Sequence, residues 1–203
     1  MRIGIDFDNT IAGYDYAFVS LAEEMSMIDK GQAKTKKQLR DILRSKPQGE
    51  ENWQRLQGRA YGAEIDRAIL MDGFEEFVKE AKISGDEIYI VSHKTMFGHF
   101  DNDRINLREA ALRWMRDRDF FSESGLAINS DQIWFLKTRE EKISRISELN
   151  PDWFIDDLPE VLNDSSFPSS VKKILFANSS ELSVETSLTT VETWSDIKHM
   201  IYS

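Results

Sequence analysis

The chain has 203 residues and a formal net charge of −10 at pH 7, with 40% hydrophobic and 31% charged residues. These values are ordinary for a globular protein, and the acidic balance argues against nucleic acid as a partner, because contact with a phosphate backbone requires a basic surface. With no cysteine, the sequence excludes a disulfide framework and thiolate catalysis.

The first predicted strand, residues 2–7, ends in an acidic motif. Asp6 and Asp8 are two positions apart, and a hydroxyl group follows at Thr10. Side chains two apart on an extended segment point to the same side, so both carboxylates are expected to lie together where the strand ends. Two such carboxylates repel each other, and a protein tolerates them mainly by adding a cation or sharing a proton. The alternative is that Asp8 and Asn9 form an ordinary polar turn.

Residues 13–70 separate this strand from the next one and are mostly helical in pattern. Three groups of apolar residues at helical spacing mark the segment: Phe18, Leu21, Ala22 and Met25; Leu39, Ile42 and Leu43; and Ile65, Ala68 and Ile69. A crossover between parallel strands needs little more than one helix. We therefore predict a small helical subdomain over 13–70, inserted into an α/β core made of residues 1–12 and 71–203.

Five further strands are predicted, alternating with amphipathic helices, which favours a parallel α/β sheet. They cover residues 87–91, 133–136, 153–155, 173–176 and 190–193, with helical faces at 74–81, 107–114 and 143–149 and serine-rich loops at 165–166 and 179–180. Ser92, His93 and Lys94 follow one of these strands, and Asp156 and Asp157 follow another. Because ligands bind at the carboxyl ends of such strands, we predict a divalent-metal and phosphate site there.

These motifs, in this order, resemble the haloacid dehalogenase superfamily of phosphotransferases. The pattern of that family is Asp-x-Asp-x-Thr at the first strand, a Ser or Thr after the second, a Lys before the last motif, and then paired acids. The chain offers Asp6-Phe-Asp-Asn-Thr10, Ser92, a lysine before the last motif, and Asp156-Asp157. The resemblance implies a Rossmann-like three-layer core, with the insert acting as a cap that covers the site and shapes substrate choice.

The resemblance also implies an activity, namely a Mg²⁺-dependent phosphatase that hydrolyses a small phosphomonoester through an aspartyl phosphate. Asp6 would be the nucleophile and Asp8 the general acid and base. Asp6, the backbone carbonyl of Asp8, Asp156 and Asp157 would hold the Mg²⁺ ion, with Asp157 favoured as the direct ligand. Family members that cleave carbon–halogen bonds lack the second acid, so Asp8 favours phosphoryl transfer over dehalogenation.

Hydroxyl groups and cations would bind the phosphate and balance its charge. The resemblance implies that Ser92 binds a phosphoryl oxygen, with a simple strand-end serine as the alternative. We also assign Thr10 and His93 to the phosphate. Either His93 or Lys94 could contact phosphate or substrate, and an exposed pair of loop residues is the alternative for these two. Two lysines fit the position before the last motif: Lys142, inside the first turns of a predicted helix, and Lys137, at a strand end. We favour Lys142 as the catalytic lysine.

Other activities remain compatible with the motifs. A phosphomutase or a 5'-nucleotidase would use the same chemistry on a sugar phosphate, a nucleotide or a similar metabolite. A non-catalytic module that binds phosphate and Mg²⁺, such as a receiver, also uses paired acids and a lysine. The sequence has no basic leader and no apolar run of membrane length, so we expect a cytoplasmic protein without a nucleic-acid or membrane partner.

Overall fold

The computed structural model describes residues 1–100, 103–177 and 188–203, which form two compact units. The α/β unit comprises Met1–Ala12, Leu70–Lys94 and Asp119–Ser203, and the helical unit comprises Gly13–Ile69 and Thr95–Arg118. The predicted division placed residues 95–118 in the α/β core, whereas the structure groups them with the helices of the insert. None of the described helices combines the length and the apolar character that crossing a membrane requires.

The α/β unit is built on a six-stranded parallel sheet in the order β5-β4-β1-β6-β7-β8. Its strands are β1 (Arg2–Ile5), β4 (Glu87–His93), β5 (Ile133–Leu136), β6 (Trp153–Asp156), β7 (Lys172–Phe176) and β8 (Thr189–Val191). The predicted parallel α/β class is confirmed, and each predicted strand is found with its ends shifted by at most two residues. The loop predicted at 179–180 lies outside the described residues.

The centre of the sheet depends on a close approach between β1 and β6. Ile3 and Ile5 are fully buried, as expected for a strand covered on both faces. Gly4 lies between them, and a Cβ atom at this position would be only 2.5 Å from the ring of Phe154 on β6. A glycine is therefore needed here for the Phe154 ring to pack over β1.

The described part of the α/β unit contains four helices: α4 (Phe74–Ile83), α6 (Arg139–Leu149), α7 (Pro159–Leu162) and α8 (Trp194–Tyr202). Thr138 caps α6 by accepting a hydrogen bond from the Glu141 amide at 3.2 Å, a role that threonine commonly has at a helix N-terminus. The α8 helix was not predicted, because its cap, Thr193, was read as the end of the last strand. The indole Nε1 of Trp194 donates to the Thr10 carbonyl at 3.0 Å, which connects α8 to the acidic motif.

The helical unit contains α1 (Asp15–Glu24), α2 (Lys36–Arg44), α3 (Gly49–Tyr61) and α5 (Leu107–Arg116). Its core is aromatic. Phe18 packs on Trp53 with the ring centroids 5.1 Å apart, and Tyr14 meets Tyr61 edge-on at 4.8 Å. Helix α5 packs against α3, and the Trp114 indole donates to the Ala68 carbonyl at 3.1 Å. These contacts explain why 95–118 groups with the insert.

The helix predicted around Ile65, Ala68 and Ile69 is wrong. Ile65–Arg67 forms a single 3₁₀ turn, and Ile69–Leu70 is a short strand, β3, which pairs with β2 (Ala12–Gly13). The third helix of the insert is instead α3. It begins at Gly49, where a Cβ atom would lie 1.9 Å from the Leu43 carbonyl oxygen, so only glycine allows the tight turn from α2 into α3.

Candidate functional site

The polar ends of three adjacent strands meet at one edge of the sheet. Strand order reverses around β1, which lies between β4 and β6, and such a switch point is where parallel α/β sheets bind ligands. Asp6 directly follows β1, and its amide extends the ladder by donating to the Ile155 carbonyl at 2.9 Å. Ser92 lies near the end of β4, and Asp156 ends β6. The structure therefore brings together acids that are distant in the sequence.

A tight loop carries the rest of the first motif. The amides of Ile11 and Ala12 both donate to the Phe7 carbonyl at 3.0 Å, and Asn9 has a left-handed φ of 60°. Asparagine tolerates this conformation better than most residues do. Thr10 is fully buried, and its Oγ1 has no hydrogen-bond partner among the described residues. A buried hydroxyl without a partner is a donor that a bound ligand can satisfy.

Lys142 forms the buried centre of the site. Its Nζ donates to Asp6 Oδ1 and to Asp156 Oδ2, both at 2.6 Å, and its side chain is 1% exposed. The Ser92 side chain lies beside the Asp6 carboxylate and acts to lower its pKa. The alternative lysine, Lys137, is exposed at the end of β5. Of the two candidates, Lys142 is the one that the structure brings to the acids.

Burial and ion pairing shift the pKa values of these buried side chains in opposite directions. Burial raises the pKa of Asp6 and raises that of Asp156 to about 7, and the Lys142 ammonium opposes both shifts. Burial alone would lower the pKa of Lys142, but its ion pairs with Asp156 and Asp6 outweigh this effect and raise it. Lys142 is therefore an ammonium at neutral pH, and a further cation bound beside the two acids would oppose the upward shift of their pKa values.

Three of the acids offer oxygens that can share one ion. Ligand atoms of Asp6, Asp156 and Asp157 all lie within 4.8 Å of one another. Both oxygens of Asp156 already accept protein hydrogen bonds, from Lys142 and from the Leu158 amide at 3.0 Å. Asp157 is half-buried and accepts from Asn9 Nδ2 at 3.0 Å. The structure thus brings Asp156 and Asp157 together beside Asp6, and the choice of Asp157 as the direct ligand stays a prediction.

The donor set suits a hard divalent cation such as Mg²⁺, which prefers a few carboxylates completed by water and substrate oxygens. The side chains at this edge supply four carboxylates, Asp6, Asp8, Asp156 and Asp157, and two ammonium groups, Lys94 and Lys142. Among the described residues, and with every one of these groups ionised, the negative charges outnumber the positive charges by two. One divalent cation balances this excess, so the residues present fit the metal that the sequence predicted.

Lys94, which the sequence offers only as an alternative to His93 for contact with phosphate, also lies at this site. It is 3% exposed, and its Nζ lies 2.9 Å from Asp8 Oδ1 and 2.8 Å from Asp8 Oδ2. His93, predicted to bind phosphate, is instead exposed. Side chains alternate along β4, so Ser92 and Lys94 share the side of the acids and His93 points the other way. That alternation is the sequence signal that could have identified Lys94.

Comparisons with known proteins agree with this fold. No protein-family model matches the chain, and no curated protein matches it. Solved structures do match, at low sequence identity. Protein Tyrosine Kinase A of Mycobacterium tuberculosis superposes with a TM-score of 0.62 at 12% identity, over 100% of this chain and 98% of that one.

Two further solved structures carry informative descriptions. A phosphoserine phosphohydrolase-like protein from Francisella tularensis matches with a TM-score of 0.56 at 16% identity, covering 98% of this chain and 99% of that one. A HAD family hydrolase from Deinococcus radiodurans, with bound phosphate and sodium, gives 0.55 at 12% identity over 98% and 94%. The chain therefore has the fold of the HAD-superfamily hydrolases, and the resemblance predicted from the sequence is confirmed at the level of the fold.

Proposed function

We propose that this chain, which has the fold of the HAD-superfamily hydrolases, is a Mg²⁺-dependent phosphatase acting on a small phosphomonoester. The observation that carries the proposal is the buried Lys142 ammonium, which holds Asp6 and Asp156 at 2.6 Å each beside Asp157. A structural ion pair needs one carboxylate. The additional acids at this point are best explained by a bound cation and an anionic substrate.

The carboxylates of Asp6 and Asp157 and the backbone carbonyl of Asp8 would hold the Mg²⁺ ion, with Asp156 acting through water. When bound, the ion would neutralise charge on the phosphoryl oxygens and orient the ester. Thr10 and Ser92 supply hydroxyl donors for those oxygens. Lys142 keeps the Asp6 carboxylate in one orientation and balances charge as a point cation.

In the first step, a carboxylate oxygen of Asp6 attacks the phosphorus atom. The bond between phosphorus and the leaving alcohol oxygen breaks, and Asp8 donates a proton to that oxygen. This leaves an aspartyl phosphate on Asp6 and the Asp8 side chain as a carboxylate. Positioning dominates the catalysis of such transfers, because the phosphoryl group carries most of the charge and little other chemistry is required of the protein.

In the second step, a water molecule attacks the same phosphorus atom and gives a proton to Asp8. The bond from phosphorus to the Asp6 oxygen breaks, which releases inorganic phosphate and restores both acids to their starting protonation. A general acid–base group of this kind contributes about 10²- to 10⁴-fold in rate. Asp8 thus serves both halves of the reaction.

The substrate we propose is a sugar phosphate, a nucleotide or a similar small phosphate ester. Two structural neighbours support a phosphate ligand: the hydrolase from Deinococcus radiodurans contains phosphate, and the protein from Francisella tularensis is described as phosphoserine phosphohydrolase-like. The resemblance assigns the choice among such esters to the insert, here the helical unit.

Hydrolysis of 4-nitrophenyl phosphate tests the proposal. We expect the wild type to turn over with Mg²⁺ and to stop in EDTA, and the Asp8→Ala variant to lose about 10²- to 10⁴-fold in rate. Asp131→Ala is the matched control, because Asp131 is an exposed acid before β5. Full turnover in EDTA, or an Asp8→Ala variant as fast as the control, would contradict the proposed function.

A further inference from the structure

The pairing of Lys94 with Asp8 is a second ion pair at the candidate site, beside the Lys142 centre. The Lys94 ammonium contacts both oxygens of the Asp8 carboxylate, at 2.9 and 2.8 Å. The side chain of Lys94 is 2% exposed and that of Asp8 is 17% exposed. The pair is thus buried on the lysine side, while the carboxylate retains access to solvent.

The position of the ammonium is determined by the sheet. The Lys94 amide donates to the Leu136 carbonyl at 2.8 Å, which continues the pairing of β4 with β5 beyond His93. The Nζ atom also lies over the ring of Phe7, 5.6 Å from its centroid, and Phe7 is fully buried. Two strands and an aromatic ring therefore restrict where this cation can lie.

We propose that Lys94 is a positioning residue that holds the Asp8 carboxylate in one rotamer for proton transfer. The proposal rests on the proposed function, in which Asp8 gives a proton to the leaving oxygen and takes one from water. An aspartate at a strand end can rotate about both of its side-chain torsions. Contact with an ammonium at both oxygens restricts this rotation, and a misplacement of about 1 Å in a catalytic group can cost about 10²-fold in rate.

A double-mutant cycle measures whether Lys94 acts through Asp8. The variants are Lys94→Met, Asp8→Ala and the double variant, and the readout is kcat/KM with Mg²⁺. If the role of Lys94 is to hold Asp8, Lys94→Met lowers kcat/KM by about 10- to 10²-fold in the wild-type background. In the Asp8→Ala background it then changes kcat/KM by less than about twofold, because residues that share one role are not additive.

The leaving group supplies a readout that a merely structural role does not move. An alkyl phosphate such as glycerol 2-phosphate needs protonation of its leaving oxygen, whereas 4-nitrophenolate leaves with little help. We expect Lys94→Met to reduce kcat/KM for the alkyl ester more than for the nitrophenyl ester, with KM nearly unchanged. Lys94→Arg restores part of the loss, since a guanidinium also bonds both oxygens of a carboxylate.

Lys79→Met is the matched control, because Lys79 forms an exposed pair with Glu75 at 3.6 Å on α4. It removes the same charge and is expected to leave kcat/KM unchanged for both esters. If Lys94→Met alone fails to fold, the double variant, which removes both charges, and Lys94→Arg, which keeps the cation, still decide the question. Rescue by arginine and a double variant no slower than Asp8→Ala support the proposal.

Two results overturn it. One is that Lys94→Met lowers kcat/KM by the same factor in the Asp8→Ala background as in the wild type. The other is that Lys94→Met lowers kcat/KM equally for the alkyl ester and the nitrophenyl ester. Failure of the proposed function gives a different pattern, since Asp8→Ala itself is then as active as the wild type. If Asp8→Ala is impaired but Lys94→Met acts independently of it, the proposed function stands and only the role assigned to Lys94 is contradicted.

Discussion

The α/β unit and the helical unit differ most in what they bury. In the described part of the α/β unit, six polar or charged residues are buried: Asp6, Thr10, Ser92, Lys94, Lys142 and Asp156. The described residues of the helical unit bury no side chain of this class, and their charges form surface pairs such as Arg44 with Glu50 and Arg67 with Glu24. Burying a charge costs several kcal/mol unless it is paired. The cost is concentrated at the candidate site, which is where function justifies it.

Among the substitutions that test this difference between the two units, Asp6→Asn is expected to have the largest effect on activity. It removes the carboxylate that we propose as the nucleophile, so turnover is expected to fall by about 10³-fold or more, as when other covalent nucleophiles are lost. The melting temperature of the metal-free variant is expected to equal or exceed that of the wild type. One of several crowded carboxylates becomes neutral, while Lys142 stays paired with Asp156. Kinetics and differential scanning fluorimetry in EDTA measure both. A large loss of stability would show that Asp6 is chiefly structural.

Breaking an ion pair is expected to cost far more in the α/β unit than in the helical unit. Lys142→Met leaves Asp6 and Asp156 buried without their cation, and we expect a loss of about 3–5 kcal/mol in the free energy of unfolding. Arg67→Met removes pairs with Glu24 and Glu64 that are partly exposed, for which we expect about 1 kcal/mol or less. Urea denaturation of both variants gives the two values. Equal losses would contradict the distinction between the units.

Metal affinity tests a finer point in the α/β unit. Asn9→Gly keeps the left-handed backbone but removes the side chain that donates to Asp157 at 3.0 Å. Partners that orient metal ligands typically contribute about 10- to 10²-fold in affinity, and we expect Mg²⁺ binding to weaken within this range. Titration calorimetry with Mg²⁺ measures it without substrate. Unchanged affinity would mean that Asn9 serves the turn alone.

A further prediction concerns the pH dependence of stability in the metal-free protein. The pKa of Asp156 rises from 3.8 to about 7 on burial, so the folded state binds this proton more tightly than the unfolded state. Its stabilising contribution is full below pH 3.8 and is lost as the pH rises through about 7. The melting temperature of the wild type, relative to Asp156→Asn, should therefore fall across this interval and level off above it. Parallel curves for the two proteins would contradict the shifted pKa.

Local sequence signals predicted the sheet and most of the site, because strand ends and acidic motifs are short and contiguous. They did not predict α8, since Trp194 begins a helix that is stabilised by packing on Phe74, Phe77 and Phe176 from distant parts of the chain. Lys94 was left open for a similar reason. A lysine beside a histidine is typical of a solvated loop, and only the extension of β4 to residue 93 sets the alternation that turns Lys94 inward.

The hydrogen bond from Trp194 to the Thr10 carbonyl has a consequence for biosynthesis. It joins residues 184 positions apart, and Lys142 meets Asp6 across 136 positions. The acidic loop therefore leaves the ribosome long before the side chains that complete it have been translated. A nascent polypeptide would carry the acidic loop without these contacts, and the candidate site would be assembled only after α8 has emerged and folded back.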